Sequence, residues 1–170
     1  MNNFFPDENY KLPVSSNYMK FVEGDNTFRV MSSAIIGWEY WNTDNKPVRS
    51  KERPVHMPDD IKIEKDGTMR INHFWAFAVW NYEDKKIQIL ELTQKGIMKA
   101  MQSLVKNPKW GNPIGYDITV SRSGSGLDTE YFPQAIPHSE APSEAVVMYE
   151  RMKINLDALY TGEDPFVSKI

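Results

Sequence analysis

Apolar residues in this chain fall mostly into alternating runs that predict strands, and one run breaks the alternation. Residues 70–82 read Arg-Ile-Asn-His-Phe-Trp-Ala-Phe-Ala-Val-Trp-Asn-Tyr, with large aromatics at both odd and even positions. A strand that buries one face needs apolar side chains only at alternate positions, so the second aromatic row requires a partner of its own. One face holds Ile71, His73, Trp75, Phe77 and Val79; the other holds Asn72, Phe74, Ala76, Ala78, Trp80 and Tyr82. Ile71 and Val79 suit a closed interior, which assigns the first set to the core. In the second set the two alanines leave a shallow floor between Phe74 and Trp80.

The same pattern gives the other elements. A long strand is predicted from Phe28 to Trp41, with Gly37 at a bulge or sharp bend. Residues 42–69 are punctuated by Pro47, Pro54 and Pro58 and read as an excursion with at most a short strand near Ile61–Ile63. Strand 70–82 turns at Glu83-Asp84-Lys85 into a third strand, 86–93, as a hairpin. The period then changes: Ile97, Met98, Met101, Leu104 and Val105 form a helical stripe over 94–106, with Thr93 placed to cap it and Asn107-Pro108 to stop it. Residues 116–122 alternate again, and Gly124-Ser125-Gly126 turns into a fifth strand near 129–136. The expected fold is mainly β: a five-stranded OB-fold Greek-key barrel whose helix lies between the third and fourth strands. It divides the chain into an N-terminal arm (1–27), a barrel (28–137), and a linker, short helix (144–152) and acidic tail (138–170).

Charge changes the picture only locally. The net charge of −3 conceals a balanced body, since residues 1–137 carry 17 Lys or Arg against 17 Asp or Glu, and 138–170 carry 3 against 6. Residues 85–122 hold seven basic groups and two acidic ones, enough to follow a phosphate backbone if they line one groove. With no cysteine and three scattered histidines (His56, His73, His138), neither disulfides nor a metal site is expected. No cofactor is expected either. No apolar run approaches the ~20 residues of a membrane helix, and the N-terminal residues lack the pattern of a secretion signal, so a cytoplasmic protein is expected. There is no phosphate-binding glycine loop, no HExxH and no cysteine nucleophile, which argues against an enzyme.

An exposed aromatic row points to planar ligands. Unstacked nucleic-acid bases fit best, because every base offers a π-face and stacking tolerates any sequence. Asn72, Phe74, Trp80 and Tyr82 are the candidates on the central strand, and Trp41 joins them from the end of the first. Lys46, Arg49, Lys51 and Arg53 alternate with Pro, Val, Ser and Glu in the loop that flanks an OB-fold groove; guanidinium forks grip phosphate, which favours the two arginines. Arg122 belongs to the opposite wall, with Lys109 and Trp110 as lesser candidates. The bland alternative is that both aromatic rows are buried, one in the barrel and one under the helix, the arm or the long loop. Two rivals of other classes use the same surface: a protein-interaction or virion-assembly module, and a carbohydrate binder.

The segment Asn17-Tyr18-Met19-Lys20-Phe21-Val22-Glu23-Gly24-Asp25-Asn26-Thr27-Phe28-Arg29-Val30 resembles the opening of bacteriophage single-stranded-DNA-binding proteins with an OB-fold. Gly37-Trp38-Glu39-Tyr40-Trp41 and Phe74–Tyr82 resemble their aromatic blocks, and the likeness extends over residues 15–135. It implies sequence-indifferent protection of exposed strands during phage replication, recombination or repair, in the cytoplasm of an infected bacterium. It also implies that the C-terminal segment recruits replication or recombination proteins, for which Glu163-Asp164-Pro165-Phe166 is a partial match.

Overall fold

The computed structural model describes residues 4–10, 12 and 16–166. The remainder of the expected arm (1–3, 11, 13–15) and the end of the expected tail (167–170) lie outside the described residues. Among the described residues, seven antiparallel strands form one sheet: β1 (Gly24–Val30), β2 (Ile35–Trp41), β3 (Pro47–Ser50), β4 (Asn72–Asn81), β5 (Lys86–Leu92), β6 (Asp117–Ser123) and β7 (Glu130–Ala135). Helix α1 (Lys95–Lys106) follows β5, and α2 (Ser143–Met152) follows β7. Among the described residues no helix is long and apolar enough to cross a membrane.

The β4 strand organises the sheet. Along one edge it pairs with β2 (Ile35↔Ala76, Gly37↔Phe74) and with β1 (Val30↔Val79, Phe28↔Asn81); along the other it pairs with β5 (Ala76↔Glu91, Ala78↔Ile89). The outer edge of β1 carries β6, which carries β7, and β3 hangs on β2. No pairing among the described residues joins β5 to β7, so the sheet is not closed into a barrel as expected. The α1 helix instead packs beside β7 and presents Ile97, Met98 and Met101 to the interior.

Four expectations are corrected. The first strand is not continuous: it breaks at residues 31–34, because Ser32 Oγ accepts the Ala78 N–H (2.8 Å) in place of a backbone carbonyl and the chain leaves the ladder there. Gly37 marks no bend. It lies within β2, where a Cβ would come within 2.3 Å of the Ser50 carbonyl oxygen and 3.2 Å of the Tyr160 ring. The extra strand β3 and the divided first strand put α1 between the fifth and sixth strands rather than the third and fourth. The α1 cap is Gln94, without a side-chain cap bond, so Thr93 does not cap it.

The inner core combines Phe28, Val30, Phe77, Val79, Leu90, Leu92, Ile118 and Val120 with the apolar stripe of α1. Beside it sits a buried cation. Arg29, 1% exposed, pairs through Nε with Asp117 Oδ1 at 2.7 Å, donates through Nη1 to the carbonyls of Ile114 (3.1 Å) and Ser139 (2.9 Å), and through Nη2 to Ser139 Oγ (2.8 Å). Tyr82 donates to the same Asp117 oxygen at 2.8 Å; burial first, then that carboxylate, pushes the phenol up to about 12. One guanidinium thus ties β1 to β6 and holds the start of the segment that leads to α2.

Removing one partner of such a pair leaves the other charge buried alone. Arg29→Met should therefore lower unfolding stability by about 3–5 kcal/mol in urea titrations, and adding Asp117→Leu should restore part of the loss. A loss for the single variant no larger than about 0.5 kcal/mol, as at an ordinary surface site, would show that the network does not hold the fold.

Candidate nucleic-acid interface

Both faces of β4 are covered over most of its length, and the two covers differ in where they stop. On the even face, Phe74 and Ala76 are buried with Ile89 and Leu159, flanked by Tyr18, Ile35, Tyr160 and Phe166. Trp80 is buried with Ile87 and Ala145 beneath Tyr149 and Met152 of α2. The Tyr160 hydroxyl donates to the Ile36 carbonyl, and Asn155 N–H donates to Pro165 O at 2.8 Å, which fixes residues 154–166 as a strap across this face. The shallow floor left by the alanines is filled by the chain's own C-terminal segment.

Several residues expected at the contact are engaged within the protein itself. Phe74 is 0% and Trp80 2% exposed, so neither offers a ring to a ligand. Tyr82 is half-buried with its hydroxyl committed to Asp117. Arg49 is not a solvated loop cation: it lies between two glutamate side chains, Nη2 2.7 Å from Glu91 Oε2 and Nε 3.3 Å from Glu39 Oε2, with its guanidinium carbon 5.9 Å from the Phe74 ring centre. The acidic run Glu163-Asp164 is part of the strap, followed by a buried Pro165. Arg122 is half-buried, donates from Nη1 to Phe21 O at 3.0 Å, and borders a separate depression with Gln94 and Tyr131. Trp110 packs against Tyr116 and His138.

The odd face is different. Its cover, α1, begins only at Lys95 and seals Phe77 and Val79, leaving His73 and Trp75 half-buried at the end of the strand. Trp38 of β2 stands opposite His73 in register, with ring centroids 4.7 Å apart. The Arg53 guanidinium lies over the Trp38 ring at 5.0 Å, a cation–π contact that leaves its charge at the surface. Together with Asn72 and with Lys95, Lys99 and Gln102 of the helix wall, these groups line an open groove of about 700 Å³. His73 Nδ1 is buried and has no hydrogen-bond partner among the described residues. The groove therefore brings together two indoles, an imidazole with an unused nitrogen, and three cations.

Of the residues expected from sequence, Arg53 and Asn72 are in this groove. Trp41 is 45% exposed at the end of β2, and Lys46 and Lys51 are exposed elsewhere, Lys51 with its ammonium 5.4 Å from the Tyr160 ring. Assigning the odd face to the core passes over His73 and Trp75, and choosing Trp41 as the outward ring at the end of the first strand passes over Trp38. A signal for the helix wall was present: Lys95, Lys99 and Gln102 recur at i, i+4 and i+7, a polar stripe beside the apolar one.

A curated protein of Escherichia phage T5, named "Probable ssDNA-binding protein", is 27% identical to this chain over 143 residues, covering 70% of this chain and 54% of that protein. The chain thus spans about half the length of that relative, and the likeness to phage proteins of this kind read from the sequence is found again in the comparison. No protein-family model and no solved structure matches the chain.

The cluster of Glu39, Arg49 and Glu91 beneath the strap has a consequence for pH. Burial, then the adjacent Glu91 carboxylate, raises the Glu39 carboxyl from 4.5 to about 8, against the opposing pull of Arg49. A carboxyl with a raised folded-state pKa binds its proton more tightly when folded. Its contribution is fully present below about 4.5 and is lost as pH rises through about 8. Denaturant midpoints should fall across that window, and Glu39→Gln should flatten the fall; an equally steep fall in the variant would assign the pH dependence to other groups.

Proposed function

We propose that this protein binds single-stranded DNA without sequence preference. Bases lie on Trp38, His73 and Trp75, while Arg53, Lys95 and Lys99 take the phosphates. The observation that carries the reading is the groove itself: aromatic rings and cations that share one open trough, where stacking needs the first and a strand's backbone the second. The name of the phage T5 relative supports the same ligand. Trp41, Lys46 and Lys51 extend the contact beyond the groove, and Arg122 is a more distant backbone contact.

The finer parts of this reading are also ours. The strand and helix order, with β1 and β2 as one interrupted strand and β3 as an insertion, follows an OB-type arrangement left open between β5 and β7. In an infected bacterium the protein would cover strands exposed during replication, recombination or repair, in the cytoplasm and without catalysis of its own. Partner proteins of those processes would meet the C-terminal segment on its outward side.

Tryptophan fluorescence during titration with poly-dT, duplex DNA and RNA tests the proposal. Quenching should be strongest with poly-dT, and Trp38→Ala or Trp75→Ala should weaken binding about 5- to 100-fold at every sequence. Replacing Lys95 and Lys99 together by Ala should lower the slope of log affinity against log salt by about 1.4, two phosphate contacts at about 0.7 each. Preference for the duplex, or an unchanged slope, would contradict the assignment. A response to a protein partner with none to any oligonucleotide would favour the interaction-module reading instead.

A further inference from the structure

Trp75 also lines a second recess, of about 310 Å³, walled by Val30, Ala34, Phe77, Met101 and Val105. Its origin lies in the broken first strand. Because Ser32 Oγ captures the Ala78 N–H, the chain swings off the edge of β4 before β2 begins, and the space it vacates is left beside Phe77. The last turn of α1 forms the opposite wall, where Val105 belongs to the apolar stripe yet remains 47% exposed.

We propose that this recess receives one nucleobase of a strand lying in the groove, turned out of the stack at Trp75, an inference that rests on the single-stranded-DNA reading of the groove. Three features fit that occupant. Trp75 lines both spaces, so a strand stacked in the groove has the recess beside it. The volume stands at the small end of ligand sites, suited to one planar ring system and too small for a run of stacked bases. Its walls are apolar while its rim carries Ser33 and Asn112, which matches a flat ring with a polar edge. The consequence is a fixed register: one nucleotide of each bound segment is seated in the recess, and its neighbours are held by stacking alone.

The test uses the shortest oligo-dT that binds with full affinity, with a single abasic site walked along it. On the unmodified protein, loss of a base should weaken binding about 5- to 100-fold at each held position. Val105→Trp plugs the recess from the helix side and replaces none of the groove's own aromatic or basic residues. In that variant one position should cease to respond to base removal, the others should respond as before, and affinity for the intact oligonucleotide should drop by the factor that position carried. Ser33→Phe, which plugs the recess from the loop side, should reproduce the result if Val105→Trp disturbs α1. An abasic profile identical in plugged and unmodified proteins would overturn the recess and leave the groove standing. Absence of oligonucleotide binding by the unmodified protein would overturn both.

Discussion

The structure turns on a strand that is apolar on both faces. A sheet strand of this kind has to be covered twice, and in this chain β4 receives α1 on its odd face and the strap of residues 154–166, with α2, on its even face. Each cover buries aromatic area that would otherwise face water, at roughly 25 cal/mol per Å². The covers are unequal in reach. The strap and α2 extend over Phe74 and Trp80, whereas α1 starts too late to enclose His73 and Trp75. The open groove is what remains where the inner cover stops short.

That origin explains why the groove is chemically mixed. Its floor is made of side chains that continue the core, so it is aromatic; its wall is the first two turns of a helix whose solvent face carries Lys95 and Lys99. Its third side is the loop after β3, where Arg53 rests on Trp38. Arg49, four residues earlier, is drawn instead between Glu39 and Glu91 under the strap. The two arginines have opposite fates because β3 pairs with β2 and aims Arg49 at the even face, while Arg53 lies beyond the end of the strand.

Much of this was legible in the chain. Strands β4 to β7, the helix with its apolar stripe and the short second helix follow from periodicity nearly to the residue. Alternation also shows that β4 has two apolar faces. What it cannot show is which face is covered farther along, because the even-face cover is supplied by Leu159, Tyr160 and Phe166, remote in sequence and short in pattern. The same remoteness hid the partners of Arg49, whose loop composition reads as solvated until Glu39 and Glu91 are brought beside it. The break at Ser32 was illegible for a local reason: a serine hydroxyl replaces a backbone acceptor, and no change in hydrophobic period accompanies it. Gly37 was read as a bend because glycine in a strand often marks one, but here it admits the close approach of Ser50 and Tyr160.

The central claim is that nucleic acid meets the odd face of β4 and that the even face stays closed. Photo-crosslinking with oligonucleotides carrying halogenated uracil, followed by mass-spectrometric mapping of the adducts, tests it most directly. Adducts are expected on Trp38, His73 and Trp75 and none on Phe74, Trp80 or Tyr160. Adducts on Phe74 or Trp80 would mean that the strap lifts away and that the strand binds where the protein's own C-terminal segment now lies, contrary to the account.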